Sequence, residues 1–331
     1  MKIQYSRREF VGTLAALPLA ARAAFAGQVV KPPFPVIDTH IHLFDRTRPE
    51  GAPYPMIPRD GGEPPQGMIA LPNRYQAIAE QFGVVGAVVV EASPRLEDNQ
   101  WILDVAKDYP ILVGLVGRIE VGAPDFPKHL ERFVKNPLFF GIRQGQLHLG
   151  LDKPEYIANL KRLADANCSL DVDTPRQGPT ATDVLVKVLD KVPSLKLVMD
   201  HLPDVPYTVK FPDAASKAKY VEQLKELGQR PQVYAKLSEV PHRQGDKVPT
   251  DIGAYKEWLD QVWSVFGEDR MIFGSDWPQN EIQEQNAYPN VFNISRNYVM
   301  SKGPSAMEKV FWKNSMKPYR WVQRLPTQRK A

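Results

Sequence analysis

The stretch Val36-Ile37-Asp38-Thr39-His40-Ile41-His42 joins an apolar lead-in to two histidines one residue apart. Read as a strand, its side chains alternate faces with a period of two, so His40 and His42 share a face at the strand's end. A single histidine on a strand is more often a satisfied buried residue than a ligand. The pair acquires meaning only if the chain brings matching chemistry to the same place.

Working outward toward the C-terminus, residues 43–72 are rich in proline and glycine. Apolar and aromatic residues recur among them (Phe44, Tyr54, Met56, Ile57, Met68), which suits a long ordered loop. A rhythm then begins. Amphipathic segments at 73–82, 99–109, 126–135, 154–166, 180–191, 214–227 and 251–266 alternate with apolar runs at 84–92, 111–119, 138–144, 169–173, 195–201, 233–237 and 271–276. The run VVGAVVVEA at 84–92 is almost continuously apolar, as a parallel strand covered on both faces should be. Two more helical stretches end near Trp321. Counting Val36–His42, there are eight strands in strict alternation with helices, which predicts a parallel sheet with helices outside it. Eight repeats in a single α/β domain favour a closed (β/α)8 TIM barrel, with a long loop after strand 1. No glycine-rich turn follows the first strand, so a dinucleotide-binding fold has no support.

Toward the N-terminus the pattern is different. Ser6-Arg7-Arg8-Glu9-Phe10 is a twin-arginine pattern, the apolar run Val11–Ala21 has the length of a signal core, and Ala24-Phe25-Ala26 is a small-x-small cleavage site. Residues 1–26 are therefore expected to be a Tat signal peptide, with export to a periplasm and a barrel domain over 27–331. Lys2, Arg7, Arg8 and Arg22 against Glu9 account for +3 of the chain's net charge of +4. The remainder is nearly neutral and gives no electrostatic reason to expect nucleic acid. The single cysteine, Cys168, excludes an internal disulfide and reads as a buried, inert thiol. No second long apolar run exists, so no membrane contact is expected once the signal is removed.

A barrel carries its active site at the C-terminal ends of its strands. Those ends hold Asp38, His40 and His42; Glu91; Arg118 and Glu120; Arg143; Asp171 and Asp173; Asp200 and His201; Lys236 and Ser238; and Asp276 with Trp277. Burying such groups costs several kcal/mol unless they are paired or ligated. Each also has an ordinary structural use: Asp38 orienting a turn, Glu91 pairing with Arg143, and a lone aspartate capping a helix, a structural reading that weighs at least as much as a functional one for Asp171, Asp173 and Asp200. Convergence selects His40, His42, His201 and Asp276 as the functional group, with Arg143, Lys236 and Glu91 as substrate contacts. His242 faces the same mouth as a further candidate substrate contact, and Tyr54, Tyr207 and Trp277 either stack on a substrate ring or pack the loops. His129 and His148 lie away from the strand ends and read as surface or loop residues.

Asp-Thr-His-Ile-His at 38–42, Met-Asp-His at 199–201 and Gly-Ser-Asp-Trp-Pro at 274–278 resemble the amidohydrolase superfamily. Gly141-Ile142-Arg143, Lys236-Leu237-Ser238 and the segment from Val310 through Tyr319 to Trp321 are similar to its amidohydrolase-2 branch, which includes sugar and dicarboxylate lactonases. The likeness runs from Val36 to Trp321. It implies a TIM-barrel hydrolase acting on a small molecule. Arg143 stands where binuclear members carry a bridging lysine, which argues against two metals. Strand five has no histidine, so His40, His42, His201 and Asp276 would form the ligand set of a single Zn²⁺-like ion. Some lactonases of this kind need no metal, and both possibilities stay open at this point.

The expected reaction is addition of water to an ester-like carbonyl, above all a lactone. Asp276 would be the general base, assisted by His201. A bound ion would activate the water; without one, the three histidines would donate to the developing oxyanion. Arg143 suits a carboxylated or hydroxyl-rich substrate because its planar fork binds oxygen pairs. A Zn-dependent decarboxylase and a catalytically inactive binding barrel are the alternatives. The sequence does not indicate the oligomeric state.

Overall fold

The computed structural model describes residues 31–52, 69–203, 209–282 and 287–329. The expected signal peptide, Tyr54 and Tyr207 lie outside these residues. Eight parallel strands form the central sheet: β1 (Val36–Ile41), β2 (Val84–Val90), β3 (Leu112–Gly117), β4 (Phe139–Arg143), β5 (Ser169–Asp173), β6 (Lys196–Asp200), β7 (Val233–Leu237) and β8 (Met271–Phe273). They pair in chain order, as a β/α barrel requires. The seam between β8 and β1 is bridged by single contacts. Thr39 Oγ1 donates to Phe273 O at 2.7 Å, the Asp276 amide to His40 O at 2.8 Å, and the His42 amide to Trp277 O at 2.7 Å. The barrel is thus nearly closed.

Period-two alternation sorts each strand's side chains. Leu170, Leu197, Met199, Val233 and Leu237 point outward into a core shared with the helices. Ile37, Val88, Val113, Phe140, Val198, Tyr234 and Ile272 fill the lumen. The ring of Phe140, on the neighbouring strand β4, lies so close over Gly114 that a Cβ there would overlap it, so β3 needs a glycine at that position. The outer helices run Pro72–Ala79, Asp98–Asp108, Phe126–Phe133, Pro154–Asp165, Ala181–Lys191, Ala214–Gln229 and Lys256–Phe266. Several begin with proline in the first turn, where its missing N–H is no loss. In Phe126–Phe133 the residues Phe126, Leu130 and Phe133 recur at helical spacing and are all buried.

Two boundaries differ from the reading of the sequence. The last strand is short, and residues 274–277 continue as an irregular segment that carries Asp276. The terminal likeness through Trp321 is not one helix: Pro304–Phe311 is helical, Lys313–Met316 is a single turn, and the rest is an irregular tail. That tail caps the N-terminal end of the barrel. The Val322 amide donates to Val113 O, Gln328 Nε2 donates to Val85 O and Pro110 O, and Arg324 donates to the carbonyls of Ala106, Tyr109 and Leu112. The site therefore has to be sought at the other end. Among the described residues, no helix is long and apolar enough to cross a membrane.

Candidate active site

At the C-terminal mouth, β1 delivers both of its histidines to one place. His40 Nε2 and His42 Nε2 are 3.2 Å apart, and Asp276 Oδ1 stands 3.1 Å from the second and 3.4 Å from the first. His201 stacks on His40, with ring centroids 4.8 Å apart. His40, His201 and Asp276 can each offer one ligand atom, all within 4.8 Å of one another. The close approach of the β8 segment to β1 depends on Gly274, where a Cβ would lie 2.7 Å from that of His40.

The hydrogen-bond partners limit the tautomers. His42 Nδ1 is 3.0 Å from Val90 O, and a carbonyl only accepts, so Nδ1 carries the hydrogen. In neutral His42 the Nε2 lone pair then faces the Asp276 carboxylate, and two acceptors meet at hydrogen-bond distance. Burial first, then Lys236, holds His40 well below the usual histidine range, and burial lowers His201 too, so both are neutral near pH 7. Neutral imidazoles converging on a carboxylate in a buried site are a donor set that fits a Zn²⁺- or Mn²⁺-class ion. The expectation that all three histidines donate to an oxyanion is revised at His42, whose one N–H is occupied by Val90.

Beneath this group lies an ion-pair network. Lys236 Nζ is 2.6 Å from Asp200 Oδ1, 2.9 Å from Asp171 Oδ2 and 3.4 Å from His40 Nδ1, and its side chain is 0% exposed. The expected substrate contact at Lys236 gives way to a buried tether, because its three hydrogens already have three acceptors. Arg143 sits higher. Its Nε is 2.8 Å from Asp200, its NH2 group 3.2 Å from Asp173, and its NH1 group 4.0 Å from Glu91. Burial opposes its charge, but Asp200, Asp173 and Glu91 together raise its pKa above the ordinary value. Asp38 turns to the seam, accepting from Tyr75 and Tyr288 hydroxyls and the Ser275 amide.

Trp277 does not line the mouth. It is buried against Tyr75, with Arg74 over its ring, so it packs the loop rather than offering a face to a ligand. His242 lies against Tyr255 and Trp258 with Nδ1 donating to Val240 O, and is half-buried. His129 pairs with Asp125 on the surface.

Glu239 escaped the reading of the sequence. Its Oε2 lies 3.9 Å from His201 Nδ1, and its carboxyl faces that of Asp276. Burial, reinforced by the neighbouring acids Asp276 and Asp173, pushes its pKa up to about 7 against the pull of His201. One backbone feature unites three of these residues. His201 (φ 58°), Glu239 (φ 53°) and Asp276 (φ 59°) all adopt the left-handed conformation just past β6, β7 and β8. For non-glycine residues that conformation costs of order 1–3 kcal/mol each and concentrates at functional sites.

The chain is similar to several known proteins. An L-fucono-1,5-lactonase of Burkholderia ambifaria is 28% identical over 256 residues, spanning 74% of this chain and 81% of that protein. A Burkholderia multivorans amidohydrolase crystallised with bound zinc superposes with a TM-score of 0.70 at 20% identity, covering 87% of this chain and 99% of that one. A Polaromonas dihydroxybenzoic acid decarboxylase with bound manganese and an inhibitor gives a TM-score of 0.58 at 15% identity, covering 88% and 99%. At these identities the two solved structures speak for the fold. The amidohydrolase family model matches residues 37–321, nearly the whole barrel, and the chain belongs to that family of hydrolytic enzymes.

Proposed function

We propose that this enzyme hydrolyses a neutral, hydroxyl-rich lactone at the mouth formed by His40, His42, His201 and Asp276. The observation that carries this reading is the Asp276 carboxylate held at 3.1 and 3.4 Å from two imidazole nitrogens, where a water and a carbonyl would meet. Similarity to a protein named L-fucono-1,5-lactonase supports the substrate class.

The charge of the mouth refines that class. Glu91, Asp173, Asp200, Glu239 and Asp276 gather at the mouth, where the buried Arg143 and the half-exposed Arg176, 3.0 Å from Asp173, are the cations beside them among the described residues, with Lys236 beneath. Arg143 already faces three of these acids, so its charge is largely neutralised by the protein. A substrate carboxylate would meet a net negative rim, whereas hydroxyl groups find acceptors in the acids and donors in Arg143. That balance favours a sugar-type lactone over a dicarboxylate, and disfavours the carboxylated substrates of a decarboxylase.

In the reaction, Asp276 takes a proton from water as the water oxygen bonds to the lactone carbonyl carbon. Negative charge moves to the carbonyl oxygen, within reach of His40 or His201 when its ring nitrogen facing the site carries hydrogen. The ring C–O bond then breaks, and the proton held by Asp276 passes to the leaving alkoxide, giving the open hydroxy acid. A divalent ion held by His40, His42, His201 and Asp276 would supply Lewis-acid polarisation of the carbonyl.

A panel of neutral aldonolactones and carboxylated lactones, assayed by proton release with and without chelator, tests the proposal. Turnover of the neutral set is expected. Acid production from none of them, or CO2 release from an aromatic acid, would sink it. The Arg7-Arg8 leader is read as an export signal to the periplasm, and cytoplasmic retention of an Arg7→Lys, Arg8→Lys double variant checks that reading.

A further inference from the structure

We propose that Tyr319, carried by the C-terminal tail at the closed end of the barrel, is a positioning residue for His40 at the open end. This rests on the reading of His40 as an active-site residue. Tyr319 is fully buried in the lumen, its ring tilted against that of Phe140 at 5.3 Å between ring centroids. Its hydroxyl donates to Asp171 Oδ2, the same oxygen that accepts from Lys236 Nζ at 2.9 Å. The Lys236 ammonium lies 5.3 Å from the Tyr319 ring centroid, so the two residues meet both through Asp171 and across the ring face.

Lys236 distributes three hydrogens among Asp171, Asp200 and His40. Asp171 is the acceptor whose strength Tyr319 controls. With the hydroxyl in place, part of the charge on Asp171 Oδ2 is taken by Tyr319, and Lys236 stays within 3.4 Å of His40 Nδ1. Without it, Asp171 draws the ammonium down the lumen. His40 Nδ1 is then left to Asp200 Oδ1 at 3.5 Å, which can only accept. Its two neighbours make opposite demands on Nδ1: the lysine needs a lone pair there, and the aspartate needs a hydrogen. The ring's far nitrogen, which faces His42 and Asp276, changes with that choice. The tail thus reaches the mouth through Tyr319, Asp171, Lys236 and His40, each contact buried and shielded from water. Lys236 is the partner one contact removed from His40, a kind of partner whose loss typically changes activity 10–100-fold, and Tyr319 acts through it from two contacts further down.

The test is Tyr319→Phe, which keeps the ring in the lumen and removes only the hydroxyl, compared with Phe140→Leu, which disturbs the same packing and leaves the hydroxyl in place. Two readouts are taken on folded protein. The first is the ¹⁵N signature of the His40 ring in chelator-treated, substrate-free protein, assigned with His40→Asn. The second is kcat and KM on a hydrolysed lactone. Tyr319→Phe is expected to shift the His40 ring nitrogens and to lower kcat about tenfold with KM within twofold, while Phe140→Leu moves neither. Unchanged His40 resonances in Tyr319→Phe, or the same shift in Phe140→Leu, would overturn the proposal and leave Tyr319 as a plug. Because the resonances need no substrate, failure of wild-type lactone turnover would count against the proposed reaction and not against this relay.

Discussion

Asp276 Oδ1 lies 3.1 Å from Nε2 of His42, a ring whose other nitrogen donates to Val90 O. The carboxylate and the imidazole therefore meet through lone pairs, which suits a group that must take up a proton or help hold a cation. Asp276→Asn keeps the size and the hydrogen-bonding reach but removes the basic oxygen. We expect kcat to fall by roughly 10²–10⁴-fold, with the circular dichroism unchanged. Near wild-type turnover in that variant would reassign the base, and Glu239 is the next candidate because its carboxyl faces the same oxygen pair.

Lys236 separates a structural role from a substrate contact. It is fully buried and bridges Asp171 and Asp200 at 2.9 and 2.6 Å. Lys236→Met fills similar volume but takes the shared ammonium from two buried carboxylates, leaving Asp200 to Arg143 and Asp171 to the hydroxyls of Tyr319 and Ser169. We expect a loss of about 3–5 kcal/mol in denaturant unfolding, the size seen when one member of a buried pair is removed. A variant with wild-type stability and only a raised KM would return Lys236 to the substrate-binding set.

The sequence exposes some of these residues and hides others for physical reasons. His40, His42, His201 and Asp276 are legible because strand alternation and strand ends are encoded locally, and a polar residue ending an apolar run needs a reason to be there. The eight strands are legible on the same ground. The partners of Lys236 are not, since they depend on the register between β5, β6 and β7, which places Asp173 beside Asp200 and Asp171 one layer lower. Glu239 follows Lys-Leu-Ser at the end of β7, and nothing in its identity announces a left-handed backbone, which in a sequence is usually signalled by glycine or asparagine. Its offset past an apolar strand, like that of His201 past β6, was the available clue. Trp277 misleads because an aromatic beside a catalytic aspartate suits a stacking role equally well, and only the loop packing shows that Tyr75 covers it.

Acid sensitivity should be traceable to a site far from the mouth. Asp260 accepts from Lys256, from Lys302 at 2.7 Å and from Tyr298 at 2.9 Å, and these bonds, Lys256 first, hold its pKa down to about 2. A carboxylate depressed on folding stabilises the native state above its unfolded value near 3.8 and loses that contribution as pH falls through its folded value. Asp260→Asn should therefore flatten the decline of Tm between about pH 4 and pH 2 while lowering Tm slightly at neutral pH. An identical acid limb in variant and wild type would show that Asp260 is not the group responsible.

A divalent ion gives the sharpest test of the mouth as a binding site. Three ligand atoms of His40, His201 and Asp276 lie within 4.8 Å of one another, with His42 Nε2 beside them, so the folded chain presents a site that the unfolded chain lacks. Binding to the folded state alone adds RT ln(1 + [ion]/Kd), about 2.7 kcal/mol at a hundredfold excess over Kd, or roughly 5 °C in Tm for a domain of this size. Zn²⁺ or Mn²⁺ should raise Tm of chelator-treated wild type by that order, and Ca²⁺ should not, because imidazole ligands disfavour a hard, oxygen-seeking ion. His201→Ala should abolish the rise, since it removes one ligand and leaves the ion-pair network below it intact. An equal rise in His201→Ala would place the ion elsewhere. No rise with either metal would favour the proton-only form of the site, in which His40 and His201 alone stabilise the carbonyl oxygen.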